Sequence, residues 1–372
     1  MINLPARKAL GYFWNFGRFL AFVLIFQILT GIYLIFFYSV DRIIAFERVE
    51  NLILRGSRFG WFIRLWHFNG ASLFFVFIYF HIFKALFYSS YRLKFTWLRG
   101  LTIFLFLIAE AFIGYVLVWA QIRFWARVVI TSLLSVIPFR GFEIVQWIWK
   151  GFTVTGGTIK FFFILHFLLP WVILILVFLH LIFLHRRGRT SKILIYNLTE
   201  KISFFNYYWF KDGLNILGFL IFFFFVYLFP FKLGDPEIII EANFIISPVH
   251  IVPEWYFLFA YAILRAIPNK IIGVLALLFR IIFFYFFALI NTYRRIFDKL
   301  NKFLVSIFFF VGVLLSWLGQ CLVEAPYVFL RGLLTVFYFF YVLVLILSFW
   351  FVGELMDFTF IIINILNLEF KD

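Results

Sequence analysis

Eight stretches of this chain are apolar for long enough to cross a hydrocarbon layer about 30 Å thick. They cover roughly 17–38, 61–88, 98–118, 158–185, 212–230, 271–291, 303–322 and 329–352, with ends good to a few residues. With 66% hydrophobic and 13% charged residues, a water-soluble domain could not bury this much apolar surface. The expected fold is therefore all-α, a polytopic membrane protein of eight transmembrane helices. The first stretch lies close to Met1 and no small-residue cleavage pattern follows it, so it reads as a span and not as a signal peptide.

Inside these runs the histidines are spaced in a pattern. His67 and His81 stand fourteen residues apart, and so do His166 and His180. Fourteen helical residues turn about 320° beyond three full turns and rise about 21 Å, so each pair shares nearly one face and reaches both sides of the bilayer core. Six histidines would give about 0.1 such pairs by chance. Gly17/Gly31 and Gly100/Gly114 repeat the spacing on the first and third spans. Span direction then matches Gly31 and Gly114 in depth with His67 and His166, and Gly17 and Gly100 with His81 and His180. A glycine lets a flat group lie against the backbone, although small residues in membrane helices also serve simple close packing.

Imidazole suits iron, copper and zinc. Two axial histidines, with no carboxylate or thiolate close by, point to a six-coordinate haem that carries electrons and leaves no open position for oxygen or substrate. Two such sites stacked across the membrane would form a path for electrons. Arg64 and Lys84 flank the first pair and are candidates for neutralising haem propionates, or for snorkelling to the interface.

The net charge of +16 is not a nucleic-acid signal, because positive loops orient membrane spans. Arg7, Lys8 and Arg18, then Lys84, Arg92, Lys94 and Arg99, then Arg186, Arg187, Arg189, Lys192, Lys201 and Lys211, then Arg294, Arg295, Lys299 and Lys302 all fall on one expected side, with both termini. Asp235, Glu237, Glu241 and Glu254 fall on the other, diluted by Arg123, Arg127 and Arg140. Lone Cys321 excludes an internal disulfide or a Cys-ligated cluster and reads as a buried apolar residue. The 63 phenylalanines against two methionines point to thymine-rich coding DNA, as in an organelle genome.

The segments Trp14-Asn15-Phe16-Gly17, Leu29-Thr30-Gly31, Trp61 to Ser72, Gly114-Tyr115-Val116-Leu117, Pro253-Glu254-Trp255-Tyr256-Phe257-Leu258 and Ala260 to Lys270 resemble mitochondrial cytochrome b over about residues 12–330. That resemblance implies the core subunit of a ubiquinol–cytochrome c oxidoreductase (cytochrome bc1) complex in the mitochondrial inner membrane. It implies two haems b in a dihaem four-helix bundle over 1–211, and a C-terminal four-helix part over 212–372. His67 and His166 would hold the low-potential haem, His81 and His180 the high-potential one, with Gly17, Gly31, Gly100 and Gly114 against them. Ubiquinol would be oxidised beside the first haem, near Glu254, Tyr256, Tyr115 and the amphipathic connector after Trp119. Ubiquinone would be reduced near His185, Lys211 and Asp212 at the other. The implied partners are a Rieske iron–sulfur protein and cytochrome c1, within a dimer of a multisubunit complex embedded in lipid.

The chain departs from the family pattern at Val118, Ala120 and Ala126, which narrow or stiffen that connector, and at Arg186-Arg187-Gly188-Arg189 after His185. The cytochrome of the plastoquinol–plastocyanin complex is a near relative, but it is normally split after four helices, with one extra residue in the second histidine pair. A proton-coupled transporter with intramembrane histidines is the alternative of a different class; it predicts broken helices or inverted repeats, and the sequence has neither.

Overall fold

The computed structural model describes residues 5–7, 10–56, 58–187, 201–248, 250–289 and 298–347. Lys8, Arg189, Lys192, Arg294, Arg295, Gly188 and the ends of the sixth and eighth expected spans lie outside them. In hydrocarbon every backbone amide must be paired within the chain, so a run of twenty apolar residues becomes a helix even when built largely from phenylalanine, an indifferent helix former. The principal helices are α1 (Phe16–Ile35), α2 (Gly60–Phe87), α3 (Lys94–Tyr115), α4 (Gln121–Ser132), α5 (Gly141–Trp149), α6 (Gly156–Arg187), α7 (Phe204–Leu228), α8 (Leu258–Ala266), α9 (Lys270–Phe286), α10 (Asp298–Gln320) and α11 (Tyr327–Leu347). Among the described residues, eight are long and apolar enough to cross a membrane; α4, α5 and α8 are the short ones.

Helix α1 packs along α2, and α3 along α6. Phe19, Val23, Phe75, Ile78, Phe104, Leu107 and Ile173 form the core between these four. A second core, with Trp97, Leu101, Ile263, Phe308, Leu315 and Tyr338, joins α3 to α8, α10 and α11. The one sheet among the described residues is a three-residue antiparallel pair, Pro5–Arg7 against Lys201–Ser203, with Pro5 opposite Ser203.

Polar residues mark where helices begin and end. Pro268 precedes Asn269, whose side chain accepts from the amides of Ile271 and Ile272 at 2.9 and 3.1 Å and starts α9, a standard N-cap. At the end of α10, buried Arg331 donates to the carbonyls of Leu318 and Cys321 at 3.2 and 3.3 Å, supplying donors that the last turn lacks. Cys321 sits just beyond and is only partly buried, not enclosed as expected.

The fifth spanning helix departs from its expected start at 212. It begins at Phe204, so Lys211 and Asp212 lie inside it, and the 211/212 division falls within a helix. The reason is long-range pairing. Tyr208 is buried with Leu10, Trp14 and Tyr88, Arg18 meets Asp212 at 2.6 Å, and Lys211 Nζ donates to the Leu10 carbonyl at 3.2 Å.

Close approach also decides the second core. A Cβ on Gly319 of α10 would stand 2.3 Å from the Leu258 carbonyl oxygen and 2.9 Å from its carbon. Both are backbone atoms that cannot rotate away. Gly319→Ala should therefore destabilise the protein by about 1–3 kcal/mol, the usual cost of overpacking. Thermal denaturation of the detergent-solubilised protein checks this.

Candidate functional site

Because α1 runs antiparallel to α2, and α3 to α6, each glycine of the fourteen-residue pattern meets a histidine of its neighbour. A Cβ on Gly31 would lie 3.0 Å from His67 Cε1, and one on Gly17 3.2 Å from His81 Cε1. On the other helix pair, Gly100 meets His180 at 3.3 Å and Gly114 meets His166 at 2.3 Å. The depth matching read from the sequence is the pairing in the structure. Each glycine makes room for an imidazole ring, and Gly114 is the tightest of the four.

The His67 and His166 rings lie edge to face, with centroids 6.2 Å apart and planes at 82°. Two imidazoles sharing one metal at about 2.0 Å from each nitrogen would have their centroids about 6 Å apart, which is the separation seen. The oxygen beside each Nδ1 favours the same reading. Thr30 commits its proton to the carbonyls of Phe26 or Gln27 at 2.9 and 3.1 Å, so its oxygen accepts from His67 Nδ1 at 2.9 Å. His166 Nδ1 lies 2.7 Å from Glu110 Oε1. An acceptor beside Nδ1 favours the proton there, which leaves the Nε2 lone pair for a metal. Pro170, inside α6, has no amide hydrogen to give the His166 carbonyl four residues back.

Glu110 corrects the expectation that no carboxylate lies near the histidines. Its position was readable: it precedes Gly114 by four residues, hence by one turn on the same face. Among the described residues no three His, Cys, Asp or Glu side chains converge as a metal cluster, so Glu110 acts on the ring and not as a third ligand.

A cavity of about 220 Å³ opens between the helices, lined by Gly31, Arg64, His67, Gly114 and His166, and by Tyr115, Val118, Arg123 and Tyr256. The glycines leave walls flat enough for a planar macrocycle. Arg64 lines the cavity and lies over the Phe68 ring at 5.7 Å, whereas Lys84 lies over Trp14 at 4.7 Å.

The Pro253–Tyr256 segment is pinned from several directions. Trp255 Nε1 donates to Ser72 at 3.0 Å, Tyr261 to the Ile251 carbonyl at 3.0 Å, and the Phe257 amide to the Glu254 carbonyl at 2.8 Å. Tyr79 donates to the Tyr256 carbonyl, and the Tyr256 ring stacks on Phe75 at 4.3 Å. Glu254 is buried. Burial raises its carboxyl to about 7, partly opposed by the Arg123 charge and a hydrogen bond from Tyr115, with Asp235 pushing it up further. Its Oε1 has no hydrogen-bond partner among the described residues.

The connector departures fall at this end. Val118 lines the cavity, while Ala120 is buried and pairs with Glu241 through the backbone. Ala126 is buried within α4. Arg123 and Arg127, which a charge count would leave in water, are almost wholly buried. Arg123 lies 4.7 Å from the Tyr115 centroid and Arg127 4.6 Å from that of Trp119, and Arg127 donates to the Val116 carbonyl.

At the opposite end, Lys211 and Asp212 are tied to the start of the chain; Asn15 also donates to the Lys211 carbonyl at 2.8 Å. His185 is exposed on the last turns of α6, and no hydrogen bond or ion pair joins it to Asp212 among the described residues. The structure thus assembles the histidine–glycine set and the Tyr115–Glu254–Tyr256 set, but does not bring His185 to Asp212.

Known proteins resemble this chain over most of its length. Residues 1–188 match the family described as cytochrome b/b6/petB, and residues 241–339 the one described as cytochrome b(C-terminal)/b6/petD. The chain is 58% identical to the cytochrome b of Caenorhabditis briggsae over 339 residues, 91% of each chain, and equally to that of Caenorhabditis elegans. It superposes on a chain of a hyperthermophilic respiratory Complex III with a TM-score of 0.88 at 26% identity, covering 94% of both. This chain belongs to the cytochrome b family, as a multi-pass, haem-binding, electron-transferring subunit of a respiratory complex III.

Proposed function

We propose that the chain holds two haems b, one between His67 and His166 and one between His81 and His180, and moves electrons between a ubiquinol-oxidation site and a ubiquinone-reduction site on opposite sides of the mitochondrial inner membrane, coupled to proton translocation. The observation that carries this is the His67 and His166 rings set edge to face with centroids 6.2 Å apart, with Thr30 Oγ1 and Glu110 Oε1 at 2.9 and 2.7 Å from their Nδ1 atoms. Bound haem supplies one-electron redox chemistry without opening a substrate position. The chain's own residues do the rest. Gly31 and Gly114 let rings and macrocycle lie against the backbone, Thr30 and Glu110 fix the imidazole tautomers, and Arg64 offers a cation to an acidic substituent.

On the oxidation side, Glu254 receives a proton at its carboxylate and Tyr256 forms part of the cavity wall that a quinol head would meet. Arg123 and Tyr115 hold the Glu254 carboxylate in place. On the reduction side, Asp212 and Lys211 are the candidate proton donors, with Arg18 orienting Asp212. His185 joins them only if the quinone itself bridges the gap. The electron not sent through the haems would go to an external iron–sulfur partner of the Rieske type and on to cytochrome c1, since lone Cys321 cannot hold a cluster. A dimer embedded in lipid, with the positive loops facing the matrix, completes the reading.

The haem sites and the Glu254 site are tested separately. In the purified complex, the reduced-minus-oxidised spectrum should report two b-type haems per chain. Gly114→Ala, whose Cβ would strike His166 at 2.3 Å, should lose the haem of that site, whereas Gly100→Ala, at 3.3 Å from His180, should keep both. Equal retention in the two variants would contradict the assignment. For Glu254, a carboxyl poised at about 7 holds its proton below that pH and cannot take another; above it, the carboxylate accepts. Quinol oxidation should therefore rise as pH passes upward through about 7. Glu254→Gln should lower the rate by about 10²-fold, a typical general-base contribution, and remove that limb from the pH–rate profile.

A further inference from the structure

Acidic side chains are rare within the eight spans. Glu110 and Asp212 are the two, and such residues in hydrocarbon are costly unless they do something. Asp212 is accounted for by Arg18 at 2.6 Å. Glu110 stands deeper, one turn before Gly114, and its ion-pair contact is His166 Nδ1 at 2.7 Å. Its second oxygen, Oε2, is buried with no hydrogen-bond partner among the described residues.

We propose that Glu110 sets the donor strength of His166 and thereby lowers the reduction potential of the haem between His67 and His166. The inference rests on the haem-ligand reading above. A ring that gives its Nδ1 proton to a carboxylate becomes more basic at Nε2, and a charge-assisted hydrogen bond does this more strongly than a neutral one. A more basic ligand favours ferric over ferrous iron. The negative charge of the carboxylate close to the site acts in the same direction, so the two effects add.

The facing ligand supplies the contrast. His67 gives its Nδ1 proton to the Thr30 hydroxyl, a neutral acceptor, at 2.9 Å. Among the described residues no carboxylate makes an ion pair with His81 or His180. The anionic acceptor is thus confined to one ligand of one site, and the two haems are made unequal by the chain itself. A bland role, a polar tie between α3 and α6, would leave the potentials where they are. Glu110 is therefore a positioning residue whose signature is electrochemical.

The test is a potentiometric titration of the haem absorption bands in the intact complex, unmodified and as Glu110→Gln. Glutamine keeps the shape and an accepting oxygen but not the charge. The expected result is that both haems are retained, one midpoint shifts upward, and the other stays unchanged; Glu110→Asp should remain nearer the unmodified value. Two haems with both midpoints unmoved in Glu110→Gln would overturn the proposal. Should that variant fail to assemble, redox-difference infrared spectroscopy of the unmodified complex decides. A carboxyl band that follows the lower midpoint supports the proposal, and its absence from that difference spectrum overturns it. Failure of the haem reading looks different: the unmodified complex would then show no b-type absorption at all.

Discussion

A ring nitrogen inside a bilayer has no water to fall back on, and that constraint organises the N-terminal half. Each imidazole needs a partner for Nδ1 and a use for Nε2. At His67 and His166 the first need is met by Thr30 and Glu110. The second is left to the proposed haem. The helices are arranged to keep it so. Glycines at the contact let α1 press on α2, and α3 on α6, without pushing the rings out of line. Were Gly114 larger, the His166 ring would be displaced before the helix was, because a side chain yields more readily than a packed backbone.

Much of this was legible in the sequence because it rests on rare residues at a fixed period. Histidine and glycine are conspicuous against an apolar background, and fourteen residues bring each pair nearly onto one helical face. The count of eight spans was legible for an equally simple reason, since hydrocarbon forces helix wherever the chain stays apolar. What was not legible depended on partners far along the chain. The first turns of α7 are held by Leu10, Trp14 and Arg18, and no local pattern near residue 204 announces that. Lys211 and Asp212 looked like a helix entrance because charged residues usually mark one. Here they lie inside the helix instead, Asp212 paired with Arg18 and Lys211 bound to the Leu10 carbonyl.

Glu110, Arg123 and Arg127 form a second class of omission. A sequence reading sends charge to the surface, and these three are held inward by specific neighbours: a histidine for the acid, and the aromatic faces of Tyr115 and Trp119 for the two arginines. Cation–π contacts of this kind are strongest where water is excluded. The abundance of aromatic residues, at 25% of the chain, makes such buried cations affordable. The aromatic excess, read first as a trace of base composition, has a structural use.

The strap between the chain's beginning and α7 carries a consequence for biogenesis. Arg18 finds Asp212 across a separation of 194 residues, and Lys211 reaches Leu10 across 201. Domains emerge from the ribosome N-terminal end first, so four spanning helices enter the bilayer before the acid that neutralises Arg18 exists. During that interval the guanidinium has no Asp212 to pair with. This end of the first bundle thus gains its Arg18–Asp212 and Lys211–Leu10 ties only once the fifth spanning helix has been made.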